Sequence, residues 1–237
     1  MGKSQKTMSV TEALTVPRGD VDLTSYDTRA TPGFDGDKAE GKAALVEMAD
    51  VLSDLQERLF AEGRTGGERS ILLVLQGMDT SGKGGVTRHA VGLFDPQGVH
   101  IKAFKASTDE ELRHEFLWRV QREVPHAGTI GIFDRSHYED VLIGRVRKLA
   151  SEAEIAKRYD AINTFEQKLV DAGVTVVKCM LHISPTSRRS GCSRGSTIPP
   201  STGSSTPATS TSALCGPTTS RPTRSRSGGA TRKRPHG

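Results

Sequence analysis

The chain has 237 residues, 34% hydrophobic and 26% charged, which allows one domain of ordinary size with a core that folds alone. No apolar run reaches the roughly 18 residues of a membrane span, the start "MGKSQKTMSV" lacks a secretory signal, and Lys6 stands where a myristoylation motif needs Ser or Thr, so a soluble, cytoplasmic protein is expected. The pI of about 9.2 belongs to the end of the chain: nine Lys and Arg and no acid follow Pro185, leaving 24 basic against 28 acidic residues before it and giving that larger part no footprint for nucleic acid.

Residues 1–41 are rich in Gly, Pro, Asp and Thr without a sustained period and are expected as an extended arm. Leu45, Met48, Leu52, Leu55 and Leu59 then recur at helical spacing, giving one face of an amphipathic helix that ends near "AEGRTGG". Strands and helices alternate from there. "ILLVLQ" reads as a buried strand, "GKGGVTRHAVGLF" as a helix, "VHIKAF" as a strand, and "TDEELRHEFLWRVQREV" as a helix whose apolar face takes Trp118 into the core. "TIGIFD" is a strand, helical segments cover roughly Tyr138 to Ala172, and "VTVVKCMLHI" follows. The pattern predicts an α/β fold, a parallel sheet with helices on both faces, with ligands bound beyond the carboxyl ends of the strands. Cys179, Cys192 and Cys215 are odd in number and form no close pair, which suggests neither disulfides nor a zinc site. His89, His114, His126, His137 and His182 lack metal-ligand spacing and read as surface or helix-end residues.

Two strand ends carry chemistry. Gly77 to Lys83 matches G-x-x-x-x-G-K between a strand and a helix, where glycines let backbone N–H groups turn toward phosphate oxygens and Lys83 adds a point charge. The loop residues Gly77, Thr80, Ser81, Gly82, Gly84 and Gly85 are thus expected to bind phosphate. The motif is incomplete, since the hydroxyl that would bind Mg²⁺ after the lysine is replaced by Gly84. A carboxylate inside such a loop, Asp79, would repel phosphate unless a cation stood between them. "IGIFDRSHYED" places Asp134 at the end of an apolar run, where a second metal-binding carboxylate is needed. Asp79 and Asp134 are therefore expected to hold Mg²⁺, with Lys83 and Arg135 neutralising charge as a phosphoryl group moves. Taken singly, the plainer readings are a glycine turn joining strand to helix and an Asp134 that caps the next helix.

These residues resemble the family-2 polyphosphate kinases, which look like thymidylate kinase in fold and move phosphoryl groups between inorganic polyphosphate and nucleotides. The resemblance runs from "DTRATPGFDGDKAEGKAAL" through "LVLQGMDTSGKGG", "ELRHEFLWRV", "FDRSHYEDVLIGRV" and "RYDAINTFE" to "LHIS", and "QGMDTSGKGG" with "FDRSHYED" is highly specific. It implies a P-loop kinase fold in which Asp79 and Asp134 are metal-linked carboxylates, Lys83 and Arg135 touch the transferring phosphate, and Lys105 and Arg119 lie along the polyphosphate path. The branch it most resembles is the polyphosphate:nucleotide phosphotransferases, with Ser107 standing where the family usually has proline. The domain under this reading is residues 42–184, and the arm with the first helix offers a surface for a homo-oligomer.

After Ser184 the resemblance stops, and residues 185–237 read as a disordered Arg/Ser/Thr/Pro-rich tail. Codons can be chosen for "PPSTGSSTPATSTS" that, in a shifted frame, encode T-K-H-W-K-F-N-P-G-D-I-D-E, which resembles the family's next segment. The expectation is a frameshift that removes the basic lid, the last strand and helices, and part of the nucleotide pocket, leaving a chain of low activity. The competing readings are an ATP-dependent nucleoside monophosphate kinase of the same fold and a non-enzymatic nucleic-acid binder acting through "RPTRSRSGGATRKRPHG".

Overall fold

The computed structural model describes residues 9–146 and 150–195. The arm carries one short helix, α1 (Val10–Leu14), capped at both its N-terminal backbone and its third residue by the reciprocal bonds of Ser9 and Glu12. The expected single helix over Leu45 to Leu59 is two: α2 (Lys38–Glu47), started by an Asp37–Glu40 capping box, and α3 (Ala49–Arg64), separated at Met48. The break turns the predicted face aside, so Met48 and Leu55 are exposed while Gln56 is the buried residue of α3. Gln56 is buried because its amide is fully used, donating to Asp95 O and accepting from Asp95 N, each at 2.7 Å.

The alternation that follows matches the sequence reading in order. β1 (Ser70–Gly77) leads to α4 (Lys83–His89), which ends sooner than expected and gives way to a 3₁₀ turn at Val91–Leu93. β2 (Val99–Ala103) comes next. The long helix expected over "TDEELRHEFLWRVQREV" is instead a 3₁₀ turn at Glu111–Arg113 and the four-residue α5 (Trp118–Gln121). Tertiary anchoring overrides propensity here: Leu117 and Val120 enter the core, and Arg119 is tied to Lys105 O and Asp140. Trp118 is half-buried rather than core, stacked on His114 at 3.9 Å with the Arg122 guanidinium on it at 4.7 Å. β3 (Ile130–Asp134), α6 (Glu139–Val146), α7 (Glu152–Asp171) and β4 (Val174–Leu181) complete the series.

All strand pairings are parallel, in the order β2-β3-β1-β4, with Leu75 opposite Asp134 in β3 and opposite Cys179 in β4. Alternate residues of the central strands feed two cores on opposite faces. Leu72, Val74 and Phe133 pack with Ile155, Ile162 and Phe165 of α7. On the other face, Leu75, Ile130 and Ile132 pack with Leu59 of α3 and Val86 of α4. The chain leaves β1 toward β2 on one side and reaches β4 on the other, so the crevice of such a sheet lies beyond the carboxyl ends of β1 and β3.

The tail expected from Pro185 begins as a helix, α8 (Pro185–Gly195), because Ser184 caps it: its Oγ accepts from Ser187 N at 3.1 Å and proline suits a first helical turn. The disorder expected for residues 196–237 lies outside the described residues. Among the described residues no helix is long and apolar enough to cross a membrane.

Candidate functional site

β1 runs out at Gly77 and the backbone wraps through Met78–Gly82 before α4 begins. A Cβ on Gly77 would lie 2.6 Å from Ser81 Oγ and 2.8 Å from Leu181 O, so only glycine permits the turn so close to β4. Gly82 takes φ +96°, a conformation that costs glycine nothing. Thr80 at φ +65° and Arg135 at φ +65° are the two non-glycine residues with positive φ among those described. Both stand at this site, each in a conformation costing about 1–2 kcal/mol. Lys83, the first residue of α4, is 9% exposed and curls back over the loop, donating to Gly77 O at 3.0 Å and Met78 O at 3.2 Å. Gly84 and Gly85 leave open space beside the helix start. The Thr80 hydroxyl donates to Arg188 O of α8 at 3.2 Å, so the residues after Ser184 lie against the loop.

The end of β3 meets the same loop. Arg135 N donates to Leu75 O at 3.0 Å, which carries the chain across the top of β1, and Arg135 Nη2 donates to Asp79 Oδ1 at 2.7 Å. Asp79, Lys83, Asp134 and Arg135 are thus brought together from two strand ends. Asp134 Oδ1 and Ser81 Oγ are buried without a hydrogen-bond partner. Buried polar atoms are normally satisfied, and a carboxylate oxygen left this way is suited to a cation. Among the described residues no three His, Cys, Asp or Glu gather as a metal cage. Two carboxylates beside a phosphate loop suit Mg²⁺, which takes few protein ligands and fills its shell from phosphate and water.

Three residues of the site were not singled out from sequence. Gln76 Nε2 donates to Glu139 Oε1 at 2.7 Å, and Ser136 Oγ donates to Gln76 Oε1 at 3.3 Å, so β1 and the β3–α6 turn are stitched beside Asp134. The available signal was Gln76 itself, a polar residue closing an otherwise apolar strand. The expectation that the histidines lie at the surface or at helix ends needs one correction: His137 is wholly buried, its ring contacting Glu166 Oε1 at 3.2 Å and the edge of Phe165 at 5.6 Å.

A cleft of about 730 Å³ opens beside the loop, lined by Lys105, Arg119, Arg135, Asp140 and Arg158 among others. Arg135 borders both loop and cleft. Arg119 is 8% exposed and its guanidinium donates to Lys105 O and to Asp140 Oδ2, each at 3.0 Å, with Glu111 at 3.7 Å. Lys105 is exposed at the cleft.

A family model described as Polyphosphate kinase 2 matches residues 35–194, past Ser184. The chain is 41% identical over 173 residues to the AMP/ADP-polyphosphate phosphotransferase of Meiothermus ruber, covering 73% of this chain and 63% of that protein. It is 38% identical over 181 residues to the ADP-polyphosphate phosphotransferase of Rhodopseudomonas palustris, covering 71% and 61%. Its fold is similar to the crystal structure of polyphosphate kinase 2 from Arthrobacter aurescens, with a TM-score of 0.77, 50% identity, and coverage of 81% of this chain and 68% of that one. The chain spans less than two thirds of the length of those two curated relatives.

Proposed function

The chain belongs to the polyphosphate kinase 2 family, and on that premise we propose that it transfers a phosphoryl group between inorganic polyphosphate and a nucleoside mono- or diphosphate of adenine or guanine. The observation that carries this reading is the junction of loop and β3: Arg135 bonded to Asp79, with the Asp134 Oδ1 buried and unpartnered beside them. An oxygen of the nucleotide's terminal phosphate attacks the end phosphorus of polyphosphate, the bond from that phosphorus to the bridging oxygen breaks, and polyphosphate leaves one unit shorter. The reverse transfer uses the same groups.

Lys83 and the backbone of Gly77 to Gly85 hold phosphate oxygens, and Arg135 faces the group in transit. Asp79 and Asp134 would hold Mg²⁺, which when bound offsets phosphate charge. Lys105, Arg119 and Arg135 would meet a chain of phosphates in a cleft of mixed charge, where Glu111 and Asp140 already pair with Arg119. The exposure of Val177 (42%) and Met180 (51%) on β4 supports a part of the fold beyond Ser184 that would cover that strand, as strands of a parallel sheet are normally covered on both faces. We attribute its loss to a shift of reading frame, with weak closure over the phosphates as the result.

The test is ATP formation from ADP, polyphosphate and Mg²⁺ by this chain beside a full-length relative. Slow, polyphosphate-dependent formation is expected. A rate equal to the relative's contradicts the loss of closure, and diphosphate made at full rate from ATP and a monophosphate without polyphosphate contradicts the substrate.

A further inference from the structure

Outside the phosphate loop, one carboxylate gathers three partners. Glu166 on α7 accepts from Tyr138 Oη at 2.8 Å and from Lys178 Nζ of β4 at 2.7 Å, and its Oε1 stands 3.2 Å from His137 Nε2. Lys178 also donates to Tyr138 Oη at 3.2 Å. Facing a carboxylate, His137 Nε2 must carry the proton, an assignment that agrees with a buried Nδ1 having no partner to donate to. His137 and Tyr138 follow directly on Asp134, Arg135 and Ser136. The cluster ties the turn that follows Arg135 to α7 and β4 through one carboxylate.

We infer that Glu166 is a positioning residue: through His137 and Tyr138 it fixes the turn after β3 and thereby sets the Arg135 guanidinium against Asp79. Arg135 sits at φ +65°, which persists only where the surroundings over-determine the backbone. On the β1 side Arg135 N to Leu75 O at 3.0 Å and Gln76 Nε2 to Glu139 Oε1 at 2.7 Å flank the turn, and the residue between, Ser136, reaches Gln76 Oε1 only at 3.3 Å. The anchor on the α7 side is two contacts from the turn, His137 and Tyr138, to one carboxylate that Lys178 of β4 also holds, and hydrogen bonds to a charged group are roughly twice as strong as neutral ones. Release of that anchor lets the turn relax and the Arg135 guanidinium leave Asp79. The effect on phosphate binding rests on the polyphosphate reading, whereas the effect on Arg135 does not.

The experiment therefore has two arms on the full chain. In the first, without ligand, phenylglyoxal labelling of Arg135 is followed by peptide mass spectrometry, with Arg58, 73% exposed on α3, as reference. Glu166→Ala should speed labelling of Arg135 about five- to tenfold, the order expected when charge-assisted hydrogen bonds are lost, and leave Arg58 unchanged. Glu166→Gln, which keeps an acceptor, should restore part of the protection. Tyr138→Phe keeps the packing and should show a smaller rise, so the claim is decided even where Glu166→Ala does not fold. A wild-type labelling rate in folded Glu166→Ala, or in Tyr138→Phe where Glu166→Ala does not fold, overturns it. In the second arm, calorimetry with tripolyphosphate and Mg²⁺ should show weaker binding for Glu166→Ala but no further loss in an Arg135→Ala background. Additive losses overturn the route through Arg135. Failure of the wild type to bind counts against the polyphosphate reading, and the labelling arm still decides the positioning.

Discussion

Asp79 sits in a loop whose other groups attract phosphate, and its charge is compensated in the structure by Arg135 at 2.7 Å. If the same carboxylate shares Mg²⁺ with Asp134, Asp79→Asn in the frame-restored protein should lower turnover by roughly 10²- to 10⁴-fold and weaken its Mg²⁺ dependence, with the fold intact. Adding Gly84→Ser supplies the missing hydroxyl and should not rescue it. A Mg²⁺ titration of turnover checks both, and an unchanged curve would leave Asp79 as a residue that only shapes the loop. Glu166 gives a second residue-scale outcome. Burial alone would raise its carboxyl, but hydrogen bonds from His137, Lys178 and Tyr138 outweigh that and hold it down at about 2, against an ordinary 4.5. Its contribution to stability is thus complete above pH 4.5 and is lost as the pH falls toward 2. Thermal unfolding between those limits should be less pH-dependent in Glu166→Gln than in the wild type. The loop residues were legible because phosphate-binding chemistry is local in sequence. Glu166 was not, since its partners lie in the turn after β3 and on β4, which only the folded sheet brings beside α7.

At the scale of elements, period and apolar runs located all four strands, because each is a short stretch bounded by polar residues. They failed where contacts distant in sequence decide the local backbone. The segment around Trp118 has a helical period, yet Arg119 reaching Lys105 O and Asp140 holds it to a 3₁₀ turn and one short helix. The first helix has an apolar face, yet α3 docks through Gln56 on the backbone of Asp95. Gln56→Ala removes the partner of Asp95 N and one of the two donors to Asp95 O, the other being Gly98 N at 3.2 Å, and should destabilise the protein by about 1–2 kcal/mol. Urea denaturation would measure it, and a change below about 0.5 kcal/mol, the usual surface value, would mean that water replaces the amide.

At the scale of the whole molecule, the described residues form two cores on a four-stranded sheet, but their apolar surface is uneven. Val46, Met48, Val51 and Leu55 are 50–70% exposed on α2 and α3, and Val170, Val177 and Met180 are 42–52% exposed around β4. Exposed patches of this kind bind hydrophobic dyes. Anilinonaphthalene sulfonate fluorescence should therefore be high for the chain as it stands and, under the proposed shift of reading frame, fall when the frame is restored after Ser184. Equal fluorescence in both would show that the segment beyond α8 does not cover β4.

The most direct measurement follows phosphorus from polyphosphate to nucleotide. The frame-restored protein is incubated with ³²P-labelled polyphosphate, ADP and Mg²⁺, with Asp134→Asn in parallel. Label should appear in ATP, more slowly with the chain as it stands, and be absent with Asp134→Asn. Unlabelled nucleotide throughout, together with full-rate transfer from ATP to a monophosphate, would contradict polyphosphate as the substrate.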